Sequence, residues 1–287
     1  MGIAGKNVLV TGGTGFIGSH LVEKLLDRRT NVIVPYQSIV PGSYFVKSNL
    51  GKRVVMLGAD VKNFRRMVDA ISKYQIDFVF HLAAQAIVPT AYANPLETIE
   101  TNIIGTANVL EACRLCQGVK GMVIVTSDKV YGKLPRAKEG DRIGGDHPYE
   151  TSKAAADNIA NAYFVTYKLP VVVTRFGNVY GEGDLNFSRI IPGIMKALVK
   201  NGVLQIRSNG KYVRDYVSVG DIVDGMIKIA SNIERVRGEV FNLSSGENLS
   251  VKEVITTIEM ALDRRIRYEV NNVAINEIPR QSLSFTK

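Results

Sequence analysis

The chain has 287 residues, 46% of them hydrophobic and 22% charged, enough to bury a large core in an ordinary globular composition. No apolar run approaches the roughly 18 residues of a membrane span, the N-terminus enters a strand almost at once and leaves no room for a signal peptide, and two cysteines speak against a disulfide framework and for a reducing, cytoplasmic setting. The formal charge of +9 is dispersed, without basic blocks or basic–aromatic interleaving, so a polyanionic small substrate is expected in place of nucleic acid or a membrane.

Lys6 to Thr11 has a buried-strand pattern, and Gly12-Gly13-Thr14-Gly15-Phe16-Ile17-Gly18 follows it directly. Ser19 to Asp27 then shows helical periodicity. Strand, glycine turn and helix in succession are the setting of a dinucleotide fingerprint: Gly12, Gly15 and Gly18 allow a tight turn and close approach of backbone to a pyrophosphate at the helix N-terminus. A glycine-rich turn without a ligand is the plainer reading. A second strand, Asn31 to Val34, runs into Pro35-Tyr36-Gln37-Ser38. Neither the acid that would hold an NAD ribose nor an arginine for a 2′-phosphate stands there, so NAD and NADP both stay open. After a third strand, Arg53 to Leu57, comes Gly58-Ala59-Asp60-Val61, where Asp60 caps the next helix or hydrogen-bonds an adenine.

Asp77 to Leu82 is the fourth strand, ending in His81-Leu82-Ala83-Ala84-Gln85. Its small residues suit a backbone that a dinucleotide passes closely, and His81 reads as structural. Pro95 to Gln117 is expected to be one long helix, with Asn102 inside it and Cys113 and Cys116 as packed thiols; no metal is expected. Met122 to Val125 is an apolar β-branched strand that breaks into Thr126-Ser127-Asp128-Lys129 at its C-terminal end, where open α/β sheets bind ligands. Tyr149-Glu150-Thr151-Ser152-Lys153 opens a long Ala-rich helix. Tyr149 and Lys153, four apart, share one face; the ammonium is expected to favour phenolate and make Tyr149 a usable base, with the Ser127 hydroxyl on the same substrate oxygen.

Pro170 to Arg175 is a further buried strand leading into the turn-rich Phe176-Gly177-Asn178-Val179-Tyr180-Gly181. Strands alternating with helices predict an α/β fold: a Rossmann-type, doubly wound parallel sheet over residues 1–181, carrying the catalytic residues. Residues 182–287 change in texture. Helical patterns at Arg189–Lys200 and Val219–Ser231 flank short strands near Val203–Arg207 and Glu239–Leu243, with Arg189 and the run Arg214-Asp215-Tyr216-Val217 among them. This predicts a smaller substrate lobe. The last dozen or so residues carry no clear pattern.

Together, TGGTGFIGSH at 11–20, HLAAQ at 81–85, TSDKVYG at 126–132, YETSK at 149–153 and RFGNVYG at 175–181 resemble the extended short-chain dehydrogenase/reductase family, within it the nucleotide-sugar 4,6-dehydratases and epimerases. The resemblance implies a nicotinamide dinucleotide held by Gly12, Gly15, Phe16, Ile17, Gly18, Asp60, Val61, Leu82, Ala83, Ala84, Tyr149 and Lys153, and a nucleoside-diphosphate sugar met by Gln85, Asn102, Asn178, Arg189 and Arg214. It implies that Tyr149 takes the proton of the sugar 4-hydroxyl, Lys153 holds the ribose and lowers the Tyr149 pKa, and Ser127 orients the 4-oxygen. A homodimer through the helices at 94–117 and 149–168 is usual in that family.

The finer choice rests on Asp128-Lys129. The pair is similar to that of dehydratases acting on CDP-glucose, and to a branch acting on UDP-N-acetylglucosamine; epimerases tend to carry small or neutral residues there. The expectation is Asp128 as acid at C6 and Lys129 as base at C5 of a 4,6-dehydratase. An ion pair that merely orders the loop is the plainer reading. A 4-epimerase, a nucleotide-glucuronate decarboxylase and a non-catalytic NAD(P) sensor are the alternatives. The resemblance also implies further residues beyond Lys287, so the substrate lobe is expected to be abbreviated or the sequence incomplete.

Overall fold

In a computed structural model, which describes residues 2–273 and 278–287, the β-branched runs of the first half become one parallel sheet. The strands in chain order are β1 Asn7–Thr11, β2 Asn31–Tyr36, β3 Val55–Gly58, β4 Phe78–His81, β5 Gly121–Val125, β6 Val171–Phe176, β7 Asn178–Tyr180, β8 Leu204–Ile206, β9 Val213–Ser218, β10 Val240–Leu243, β11 Asn248–Ser250 and β12 Tyr268–Val270. Seven of them form the main sheet in the order β10-β6-β5-β4-β1-β2-β3. Both faces are covered: Val8, Val10, Phe78 and Phe80 pack into one apolar cluster, while Leu9, Val79, Ile124 and Val173 pack into another on the opposite side. That is why the strands read as continuous apolar runs. The doubly wound parallel sheet expected from the sequence is the fold of this chain.

The chain runs from β1 outward to β3, then crosses back to place β4 on the other side of β1. That reversal is a topological switch point, and loops at the C-terminal ends of strands flank a crevice there. The loops after β1, β4 and β5 are therefore neighbours. β2 extends to Tyr36, two residues beyond the expected end. Pro35 is accommodated because β1 pairs only with Asn31, Val32 and Ile33, leaving no ladder bond for the missing N–H.

Pro95–Ile99 and Gly105–Cys116 are α-helical, joined by a π-helical turn over Glu100–Ile104. The long helix expected from the sequence is thus present with an irregular turn around Asn102, and such turns concentrate at functional sites. The helix Pro148–Tyr167 packs one face inward through Ser152, Lys153, Ala154, Ala156, Asp157 and Ala160. Beneath it, Asp157 binds Arg175 of β6 at 2.7 and 2.8 Å. The side chains of this pair are each only 4% exposed, so removing one partner is expected to cost about 3–5 kcal/mol.

Beyond Gly181 two small sheets, β11-β9-β7 and β12-β8, pack with the helices Ile190–Val199 and Val251–Leu262 around Ile194, Leu204, Ile206, Tyr216 and Val254. The turn-rich segment at 176–181 contains β7, a three-residue strand beside β9. A boundary at 181/182 does not follow the sheet. β10 pairs with β6, and the helix Val219–Ser231 buries Ile222, Val223 and Met226 in the first-half core.

Candidate active site

Four segments converge on the crevice. The first is the turn after β1. Gly12 has φ +72°, and a Cβ there would lie 2.7 Å from Ala83 N; a Cβ on Gly18 would lie 2.1 Å from Gly12 O. Only glycine fits either place. The helix Phe16–Asp27 that follows has no side-chain cap and no acidic residue in its first turn. Its N–H groups and dipole thus face the crevice without a competing anion, which suits a pyrophosphate. Asp60 is not the cap of the next helix: Asn63 holds that place, accepting from Arg66 N at 3.1 Å, while Asp60 accepts from Lys62 N at 2.9 Å.

At the end of β4, His81 is buried and bonded at both ring nitrogens. Thr106 Oγ1 donates to Asn102 O at 2.7 Å, so it accepts from His81 Nε2 at 3.0 Å; Nδ1 then accepts from Thr11 Oγ1 at 2.7 Å. The ring is a neutral crosslink between strand and helix. Burial, then the nearby Lys153 charge, lowers its pKa to about 3. Asn102 is also committed. It accepts from Gln85 N at 2.8 Å and donates to Gln85 O and to Ser152 Oγ. It ties the loop after β4 to the Tyr149 helix, leaving no side-chain atom over for a substrate. Gln85 likewise turns its amide onto Ile87 and Thr98. Cys113 is buried, with its thiol pushed up by burial, and Cys116 is packed against Val68 O.

The third segment follows β5. Ser127 caps a short 3₁₀ turn over Asp128–Tyr131, accepting from Lys129 N at 3.2 Å and donating to Asp128 Oδ1 at 3.0 Å. Asp128 is 2% exposed. Burial holds its carboxyl above the ordinary range, against the opposing influence of Lys129, Ser127 and Arg214. Its Oδ2 has no hydrogen-bond partner. A Cβ on Gly177 would come within 2.9 Å of that oxygen, so the glycine leaves it room.

On the helix Pro148–Tyr167, Tyr149 and Lys153 lie on one face, but their electrostatics differ from the sequence expectation. The Tyr149 phenol is raised, first by burial, with Asp128 adding to the rise and Ser127 and Arg189 opposing it. Lys153 stands one helical turn further on. Its own pKa is lowered to about 8 by burial, and its ammonium donates to Val125 O at 3.0 Å. Ser127 and Arg189 favour phenolate.

The second lobe adds charge from outside these four segments. Arg189, bonded to Asp184 at 3.2 Å, and Arg214 place positive charge near Tyr149 and Asp128 respectively. Asn178 Nδ2 donates to Asp215 O at 3.4 Å. Two groups that the sequence did not single out complete the site. Asp215 is 1% exposed; its carboxyl is raised by burial and further by Asp128. Gln281, 1% exposed, accepts through Oε1 from Lys129 Nζ. It reaches the site because residues 279–284 thread between β9 and residues 136–137: Val213 N donates to Pro279 O, Gln281 N to Val213 O, and Ala137 N to Ser282 O. Asp215 Oδ2 accepts from Leu283 N at 3.3 Å. Among the described residues, buried side-chain atoms without partners include Asp128 Oδ2, Asp215 Oδ1 and Gln281 Nε2. Each such atom is costly to bury alone, by about 1–3 kcal/mol, so each calls for a water or ligand partner.

Residues 8–244 match the family described as "NAD dependent epimerase/dehydratase family". The chain is similar to the CDP-glucose 4,6-dehydratase of Salmonella typhimurium, with 31% identity over 277 residues, covering 91% of this chain and 76% of that protein. It is equally similar to the UDP-N-acetyl-alpha-D-glucosaminuronate decarboxylase of Bacillus cytotoxicus, 31% over 261 residues, covering 88% and 79%. Among solved structures, the dTDP-glucose 4,6-dehydratase of Streptomyces venezuelae with NAD and TYD bound superimposes with a TM-score of 0.84 at 26% identity over 97% of this chain and 88% of that one. The UDP-glucose 4-epimerase of Thermotoga maritima with UDP-glucose gives 0.85 at 27%, over 98% and 90%.

Proposed function

The chain belongs to the NAD dependent epimerase/dehydratase family and is an enzyme with NAD as cofactor, and on that footing we propose that it is a nucleotide-sugar 4,6-dehydratase. The observation that carries this reading is Asp128: a buried carboxyl held toward its protonated form, with one oxygen unpartnered, next in sequence to a lysine. Elimination of water across C5–C6 needs an acid and a base side by side. Inversion at C4 alone needs neither.

The glycine turn after β1, with Phe16 and Ile17 at the helix start, Asp60 and Val61 after β3, Leu82 to Ala84 after β4, and Tyr149 and Lys153, would hold the dinucleotide. When bound, the dinucleotide would supply a hydride acceptor for C4 in its oxidised form and a hydride donor for C6 in its reduced form. Tyr149 removes the proton of the sugar 4-hydroxyl, and Ser127 orients that oxygen. With C4 a ketone, the C5 proton is acidic because its carbanion is an enolate. Lys129 takes that proton; Asp128 gives one to the C6 hydroxyl, which leaves as water. Asn178, Arg189 and Arg214 meet the diphosphate and nucleotide, while Gln85 and Asn102 shape the sugar site from behind. Two chains pair through the helices at 94–117 and 149–168, whose exposed Leu96, Ile99, Ile104, Leu115 and Val165 support that reading.

The test is to incubate the protein and NAD with CDP-, UDP-, GDP- and dTDP-hexoses and weigh the products. Loss of one water supports the dehydratase. A product of unchanged mass would replace it with the epimerase, and loss of carbon dioxide from a hexuronate with the decarboxylase.

A further inference from the structure

We propose that Gln281, carried in by the C-terminal segment, is a positioning residue for Lys129 in the elimination step; this rests on the dehydratase reading. The lysine amine sits on a flexible four-carbon stem, and a base must lie within hydrogen-bond reach of the proton that it abstracts. A misplacement of about 1 Å costs roughly a hundredfold. Ser127, from its own turn, fixes the backbone of Lys129. Gln281 reaches its Nζ from outside. Its side chain is 1% exposed, and its main chain is tied to Val213 at 3.1 Å. The neighbouring residues are held as well, with Arg136 N donating to Ser282 Oγ at 2.9 Å and Leu283 N to Asp215. The Oε1 that accepts from Lys129 Nζ is thus a rigid marker in the site.

The chemistry of the amide matters. A carboxylate in the same place would bind the ammonium as an ion pair and hold the proton on it, disabling the base. A neutral amide orients the amine without fixing its charge. Its second arm, Nε2, is buried with no partner among the described residues. Gln281 therefore holds Lys129 with one arm and offers the other, a donor, to the same polar ligand that Asp128 serves.

The test compares Gln281→Glu and Gln281→Leu with the parent. The first keeps the volume of the side chain, so the segment at 279–284 stays in place, which thermal unfolding verifies. With a hexose that the parent dehydrates, both variants are expected to oxidise C4 at the parent rate and to eliminate water roughly ten- to a hundredfold more slowly. The reduced cofactor would then build up in the steady state, visible by its near-ultraviolet absorbance, while KM is little changed. In parallel, reductive methylation of the folded protein, read by peptide mass spectrometry, is expected to label Lys129 several-fold faster in Gln281→Leu. Elimination at the parent rate in both variants would overturn the proposal. So would equal slowing of oxidation and elimination, which is the mark of a merely structural role. If the parent dehydrates no hexose, the dehydratase reading falls by itself, and unchanged Lys129 labelling in Gln281→Leu then removes the contact as well.

Discussion

The glycine turn after β1 and the strand end after β5 border the same crevice and are built on opposite plans. The turn is all backbone: Gly12 and Gly18 occupy places that no side chain fits, and the strand, turn and helix are continuous in sequence. The strand end is all side chain. Its working atoms come from Ser127–Lys129, from Asp215 on β9 and from Gln281, and three of those atoms are left without partners. A surface that binds a constant ligand is specified by local shape. The strand end, by contrast, is specified by polar groups brought together from remote segments.

Substitutions should separate the two plans. Tyr149→Phe strikes the proton relay, and turnover is expected to fall by roughly a hundred- to ten-thousand-fold, with NAD affinity by calorimetry changed far less. Lys129→Met breaks only the strand end. Elimination should be lost to a similar degree while C4 oxidation persists, seen as reduced cofactor without a 4-keto-6-deoxy product; full dehydration by this variant would remove Lys129 as the base. Gly18→Ala breaks the other side. With a Cβ 2.1 Å from Gly12 O, the turn must shift at a cost of about 1–3 kcal/mol, so the expected outcome is a lower Tm and roughly tenfold or weaker NAD affinity.

Near neutral pH the smallest effect belongs to the His81 crosslink between β1 and the helix Gly105–Cys116. His81 titrates at about 3 in the fold against an ordinary 6.5. The unfolded chain therefore binds a proton that the fold excludes between those values. The stability contribution is complete above about pH 6.5 and is lost as the pH falls toward 3, by about 1.4 kcal/mol per pH unit within that window. Urea unfolding of the parent and of His81→Gln should show this slope in the first and its absence in the second.

These contrasts also explain what the sequence discloses. The main sheet and the glycine turn are legible because apolar runs and a contiguous motif encode them. Ser127, Asp128, Tyr149 and Lys153 are visible for the same reason, each lying in a short local motif. Gln281 is not. Gln281, Ser282 and Leu283 are all buried, each against a different neighbour, so the segment has no alternation and reads as patternless. Asp215 lies in the legible run 214–217, but its burial near Asp128 depends on how β9 packs. The helix Val251–Leu262 had a readable signal, the Ser250–Glu253 capping box. Helix spacing places Tyr149 and Lys153 on one face without fixing where the long side chain ends; Val125 O takes the ammonium.

The most direct measurement follows a label. A hexose deuterated at C4 on the accepted nucleoside diphosphate is incubated with the protein and NAD, and the product is examined by NMR. The account predicts a 4-keto-6-deoxy sugar with the deuterium at C6, moved there within one active site as water leaves. A product that keeps all its oxygen and carries the deuterium back at C4 would contradict it.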